Sequence, residues 1–346
     1  ALSQLIAWRF DFPAILIMTV AGILVGPIFG WLDPDLILGD LYSPLISIAV
    51  ALILFEGSLS LEFKEIDDLR KPIFRLVTVG VFISFILTSI LLIWIGEFHW
   101  LPAFTLGAIF VVTGPTVIIP LLRQANLSVR PSKVLKWEGI IVDPLGALMG
   151  LFVVRIGFIF YQNDGLASHL PFFWSCIVAV AFGIAVGHLL IRLFGNEKVP
   201  EYLRTTLTFS GVLLVYSISE WVMSEVGLLA VTAMGLTMAN SKHGHLHILK
   251  QLREFKENIS ILLVSTVFII LTASLTRDSL LAIFDWPLLL SILGILFLVR
   301  PISVQTSLLR SPLSMQERAL ISWIAPRGIV AMTVTGFFIR DCRTRN

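Results

Sequence analysis

Charged side chains are scarce in this sequence: Asp, Glu, Lys and Arg make up 14% of 346 residues, against 57% hydrophobic, and the mean hydropathy is +0.92. A water-soluble domain needs far more charge to cover its surface, so the composition excludes one and points to the bilayer as solvent. Cysteine is nearly absent. Cys176 and Cys342 are too few and too isolated to form a disulfide framework or a metal site. The net charge is only +2, and the basic residues are spread thinly between apolar runs, so nothing marks a nucleic-acid surface. A cleavable signal peptide is not evident. "ALSQLIAWRFDFP" reads as the tail of a helix that starts earlier, and "RDCRTRN" follows an apolar stretch abruptly, so both ends are expected to be incomplete.

Long hydrophobic runs fill the rest. A spanning helix needs roughly 20 apolar residues. Eleven candidate runs lie near 13–30, 41–61, 73–95, 102–122, 138–160, 172–191, 205–222, 225–240, 259–276, 284–304 and 318–339, the eighth and ninth being short. Trp and Tyr near the run ends read as interface anchors. Lys and Arg sort by loop. The loops after even-numbered runs carry Lys64, Arg70, Lys71, Arg123, Arg130, Lys133, Lys136, Arg192, Lys198, Arg204, Lys242, Lys250, Arg253, Lys256, Arg310 and Arg318, whereas the alternate loops carry only Arg277. That asymmetry supports the run count and places the basic loops in the cytoplasm. The expected domain organisation is one multi-pass transmembrane domain over 1–346, with most of the first and last helices missing.

A few spans carry charge. An ionisable group deep in hydrocarbon costs several kcal/mol unless paired or hydrated, so each is a functional candidate. They are Glu56 in "ILFEGSLSLEF", Glu138 and Asp143 in "KWEGIIVDPLGALMG", Arg155 beyond them, Arg300 in "FLVRPISV" and Arg327 in "WIAPRGIVAMTV". Helix breakers fall in two runs. The fourth has Thr113, Gly114, Pro115 and Thr116; the eleventh has Pro326, Arg327 and Gly328. Broken backbone at membrane depth survives only where protein or a water-filled cavity satisfies it, and paired broken helices in two halves point to a midplane transport site. Thr113 and Thr116 read equally as partners for the freed backbone or as ion contacts.

On one helix, five residues put Glu138 and Asp143 about 140° apart and about 7.5 Å apart along the axis. They face different neighbours. Arg300 ends the tenth run at a matching depth, so a Glu138–Arg300 pair is expected. Asp143, followed by Pro144, is left without an obvious cation. Glu56 reads either as a wall of the site or as half of an internal pair. His243, His245 and His247 fall in a basic loop and read as solvated.

"LFEGSLSL", "VVTGPTVIIPLLR", "EGIIVDPLGA", "LVRPISV" and "WIAPRGIVA", in this order, resemble the bacterial NhaP-type branch of the monovalent cation:proton antiporters, kin of the eukaryotic sodium/proton exchangers. The resemblance covers almost the whole chain. It implies an all-α polytopic inverted-repeat fold with two discontinuous crossing helices, one helix more at each end than the eleven runs, and a homodimer with a static dimerisation domain and a moving core. It implies Asp143 as the ion-binding aspartate, Glu138 and Arg300 as a structural pair, Glu56 and Arg327 as charged core residues, and Thr113 beside the ion at an unwound crossing formed with Gly114, Pro115, Pro326 and Gly328. Many relatives have an aspartate where Gly114 stands and an asparagine or aspartate where Val142 stands; both departures remove oxygen ligands.

The expected activity is exchange of Na⁺ or K⁺ for H⁺ by alternating access, electroneutral, in the plasma (inner) membrane, with no cofactor and no nucleic acid. A gated channel or efflux system without proton coupling is the alternative. An intramembrane aspartyl protease needs two carboxylates converging on one water, and Asp143 has no partner aspartate in the deep spans, so an enzyme is not expected.

Overall fold

The computed structural model describes residues 2–10, 14–114, 118, 121–122, 127–162, 170–195, 199–223, 226–241, 261–282 and 284–324. Among these every regular element is a helix. They are α1 Leu2–Phe10, α2 Ala14–Ile28, α3 Leu36–Leu59, α4 Arg70–Trp94, α5 Trp100–Val111, α6 Val129–Gln162, α7 Leu170–Gly195, α8 Glu201–Val222, α9 Val226–Ala239, α10 Ile261–Ala273, α11 Arg277–Ala282, α12 Trp286–Ser307 and α13 Met315–Trp323. Stretches of α3, α4, α6, α7 and α12 are long and apolar enough to cross a membrane.

Each of the first ten apolar runs contains a helix, but the ends differ in an instructive way. α6 starts at Val129, nine residues before the apolar run does, so Arg130, Lys133 and Lys136 sit on its first turns rather than in a loop. Apolarity marks the hydrocarbon, whereas the helical hydrogen-bond ladder continues into water wherever its residues permit. α13 likewise begins at Met315, because Ser314 and Glu317 form a reciprocal capping box: Glu317 N–H donates to Ser314 Oγ (3.2 Å) and Ser314 N–H donates to Glu317 Oε2 (2.7 Å). The fourth run, read as one span, holds α5 only as far as Val111.

Three helices widen into π turns: 24–28 in α2, 76–80 in α4 and 295–299 in α12. Proline accounts for two of them. Pro27 lies inside the first, and Pro301 offers no N–H to the carbonyl of Phe297 four residues back, inside the third.

The chain divides into two compact units. The first comprises 1–44, 68–157 and 265–346. In it, α4 packs on α5 and on α12, and α12 packs on α13. α2 meets α10 at backbone distance: a Cβ on Gly26 would fall 2.3 Å from the Ala273 carbonyl oxygen and 2.5 Å from its Cα. Arg277, the one Lys or Arg of the alternate loops, donates through Nε to the Pro27 carbonyl (2.6 Å) and through Nη2 to the Ile28 carbonyl (2.9 Å). It caps the end of α2, and a cation there also suits the negative end of the helix dipole. The second unit comprises 45–67 and 158–264. Its described helices α7, α8 and α9 pack on one another, and Asn240 ties the end of α9 to the end of α3, donating to the Leu61 carbonyl (2.8 Å) and accepting from Phe63 N–H (2.7 Å).

The α2–α10 contact makes a first test. Backbone cannot yield as a flexible side chain does, so Gly26→Val is expected to cost about 1–3 kcal/mol as overpacking. A lowered melting temperature in detergent is the readout; an unchanged one would show that the two helices do not meet there.

Candidate functional site

α5 leaves helical geometry at Val112, whose φ −55 and ψ 123 extend the chain, and Thr113 and Gly114 follow outside any helix. The Gly114 carbonyl accepts from Ile118 N–H (3.2 Å), so helical bonding resumes beyond the break. α13 ends in the same manner: Ile324 is extended at φ −83 and ψ 108. The structure thus interrupts the fourth run where the sequence has its Thr-Gly-Pro breaker and ends helix in the eleventh run two residues before Pro326. Pro115, Thr116, Pro326, Arg327 and Gly328, and with them His243, His245, His247 and Cys342, lie outside the described residues.

α6 passes the break through two glycines. A Cβ on Gly146 would fall 2.3 Å from Val112 Cγ2, and one on Gly139 would fall 2.9 Å from Ile118 Cγ2 and 3.7 Å from the Gly114 oxygen. These absent side chains let the extended backbone lie directly on α6. At about 100° per residue, Asp143, Gly139, Gly146, Val142 and Glu138 follow one another around half the helix, with Asp143 at one flank of the crossing and Glu138 about 140° away at the other. Pro144 follows Asp143 without interrupting α6; it takes away the N–H that would bond the Ile140 carbonyl.

The Glu138 flank is closed. Arg300, on α12, donates through Nη1 to Glu138 Oε1 and through Nη2 to Glu138 Oε2 (2.9 Å), a two-pronged bond between side chains 8% and 5% exposed. The same Nη2 reaches the carbonyls of Ile321 (3.4 Å) and Ile324 (3.2 Å) at the broken end of α13. A cavity of about 10 Å³, the room that one water needs, adjoins the pair and is lined by Ser84, Thr113, Val142 and Ser303 among others.

The Asp143 flank is open in the chemical sense. Asp143 is 1% exposed, and among the described residues neither carboxylate oxygen has a hydrogen-bond partner; the same holds for Thr113 Oγ1. A buried carboxylate without a partner is costly unless it takes a proton or a cation. Asp143, Thr113, Gly114, Glu138 and Arg300 all belong to the first unit. Glu56 is buried on α3 in the second, where it has an interaction of its own. Arg155, also on α6, is not without a partner. Sequence reasoning missed the Arg300 bonds to the α13 carbonyls, the serines of the cavity and the glycine contact. Gly139 and Gly146, one α-helical face apart in "EGIIVDPLGA", were the available signal for the last.

The family model "Sodium/hydrogen exchanger, transmembrane" matches residues 1–340. The K⁺/H⁺ antiporter NhaP2 of a Shewanella species (strain MR-4) is 28% identical over 339 residues, which is 95% of this chain but 57% of that protein. The Na⁺/H⁺ antiporter 1 of Methanocaldococcus jannaschii is 24% identical over 348 residues, 95% of this chain and 79% of the relative. The solved structure of the sodium proton antiporter MjNhaP1 from the same organism superposes with a TM-score of 0.75 at 23% identity, covering 96% of this chain and 82% of that one. The all-α polytopic antiporter fold is therefore the fold of this chain. It spans little more than half the length of the Shewanella relatives.

Removing one member of a buried pair strands the other's charge, at about 3–5 kcal/mol. Glu138→Gln and Arg300→Gln are each expected to lower the melting temperature in detergent. The arginine variant is expected to lose more, since it also uncaps α13, and the double variant should regain part of the loss. Strictly additive losses would show that the two charges are not coupled.

Proposed function

We propose a function from the premise that this chain belongs to the sodium/hydrogen exchanger transmembrane family: it is a multi-pass secondary transporter, not an enzyme, that exchanges Na⁺ or K⁺ for H⁺ across the plasma membrane by alternating access. The observation that carries the proposal is Asp143, a buried carboxylate with no hydrogen-bond partner among the described residues, on the helix that crosses the α5 break. Named relatives exchange K⁺ or Na⁺ for H⁺, which supports the substrate class.

In this reading Asp143 binds the cation and the proton at one place, so the two compete. Each neutralises the carboxylate, and neither binds well while the other is present. Thr113 Oγ1 and the backbone oxygens of the extended crossing are the further ligands. Gly114 and Val142 bring no side-chain oxygen, so main chain and water complete the shell of an alkali cation. Glu138 and Arg300 bind each other and hold together the helices that carry the site. The chain acts as a homodimer within lipid, without a cofactor.

Asp143→Asn keeps the shape and removes both the charge and the titration. In proteoliposomes it is expected to abolish cation-driven proton movement, measured by dye dequenching with each cation in turn, while the protein stays folded. Near-normal exchange by this variant would rule Asp143 out. Flux in the wild-type chain that persists without moving protons would instead indicate a channel.

Exchange is expected to be electroneutral. One carboxylate holds one proton or one monovalent cation, so the loaded site carries the same charge on both legs, whereas a net charge would couple to the potential at about 2.3 kcal/mol per 100 mV. With the potential clamped by valinomycin and K⁺ and Na⁺ as the transported ion, the rate should not follow the imposed voltage. A rate that does follow it would make Glu56 the candidate second proton carrier.

A further inference from the structure

We propose that a cavity between α4, α5 and α6 binds an acyl chain of a membrane phospholipid. The cavity has a volume of about 470 Å³ and is walled by Phe82 and Phe85 of α4, Trp100 and Phe104 of α5, and Met149 and Val153 of α6, among other apolar side chains; among the described residues no charged one lines it. The size is that of ligand pockets, which run from about 300 to 1,000 Å³.

Its chemistry selects hydrocarbon. Water gains nothing in an apolar space, because it needs two to four polar partners. Left empty, the cavity would cost its aromatic walls the dispersion contacts that close packing supplies. Phe85 and Phe104 meet edge to face at 5.6 Å within the wall. Phe82, in the wall, is 62% exposed, so the cavity reaches the side of the molecule, where neighbouring Val79 and Ile90 of α4 also face outward at 48% and 45%. For helices in a bilayer that side is lipid, and its chains are the apolar material at hand.

Depth agrees with a chain entering from one leaflet. Trp100 opens α5 directly after the 96–99 turn, in a loop without Lys or Arg, and an indole there suits the level of the lipid headgroups. Met149 stands about 9 Å beyond Asp143 along α6, away from the end that bears Arg130, Lys133 and Lys136. The occupant therefore comes from the leaflet opposite the basic loops, and it lies between the two helices that form the crossing.

The test is photolabelling. The chain is reconstituted in phosphatidylcholine vesicles containing a phosphatidylcholine with a diazirine near the end of one acyl chain, irradiated, digested and mapped by mass spectrometry. Adducts at Phe82–Phe85 and Met149–Val153 are expected to exceed several-fold those on the exposed face of α7 at Trp174, Ile177 and Val178. Val153→Trp, which fills the cavity, should bring them down to the α7 level, and Phe104→Ala, which enlarges it, should raise them. Equal labelling of both faces, or labelling indifferent to both variants, overturns the proposal. So does protection of the cavity that is lost when the protein is made monomeric, since a second copy would then be the occupant. The readout is binding, so it stands or falls apart from the transport reading.

Discussion

One buried guanidinium holds the described core together. Taking a carboxylate and a guanidinium out of water costs several kcal/mol per ion, and only good geometry and further hydrogen bonds offset it. Arg300 meets both conditions at once. It clasps both oxygens of Glu138 on α6, stands on α12, and its Nη2 also reaches two carbonyls at the end of α13, while its Nε has no partner among the described residues. Among the described residues the helix ends at Trp323 and Ile324 is extended, so carbonyls at this end need a donor from elsewhere in the protein, which in hydrocarbon water cannot replace. The broken helix, α12 beside it and the helix that bears Asp143 are thus tied together through one side chain.

That arrangement also sorts the charges by role. Glu138 is committed to a cation that cannot lose its proton, whereas Asp143, on the other flank of the same crossing, is committed to nothing among the described residues. One helix therefore presents a paired carboxylate and, among the described residues, an unpaired one to the two flanks of a single piece of extended backbone. The bare glycine surface between them brings that backbone near enough for its oxygens to matter.

How much of this could be read from the letters depended on which physical signal each feature leaves. The helices of the first ten runs were legible because hydrocarbon demands unbroken apolar runs. Arg277 looked like an exception among the alternate loops; in the fold it caps α2. The α5 break was legible from Thr113-Gly114-Pro115, and a Glu138–Arg300 contact from matched depth. The helix starts were not, since α6 runs nine residues into its basic segment without changing its hydrogen bonding. The Ser314–Glu317 capping box was in plain view but lay outside the apolar pattern. The Arg300 bonds to Ile321 and Ile324 could not be read, because main-chain acceptors have no letter. Neither could the Gly139 and Gly146 contact be assigned a partner, because absent atoms name no neighbour.

α6 is a 34-residue helix, and such a rod is about 51 Å long, whereas the hydrocarbon it crosses is about 30 Å thick. Asp143 lies fourteen residues from its first, so the rod extends about 21 Å from the carboxylate to its basic end. That end is braced at the surface, where Arg130 meets Asp68 at 3.2 Å with both side chains about half exposed, a pair worth little in water. α6 has the proportions of a lever, with Asp143 part-way along it and a weak latch at its tip. A few degrees of tilt about the carboxylate would displace Arg130 by an ångström or more, so events at a site sealed inside hydrocarbon have a mechanical route to water that needs no ion to travel it.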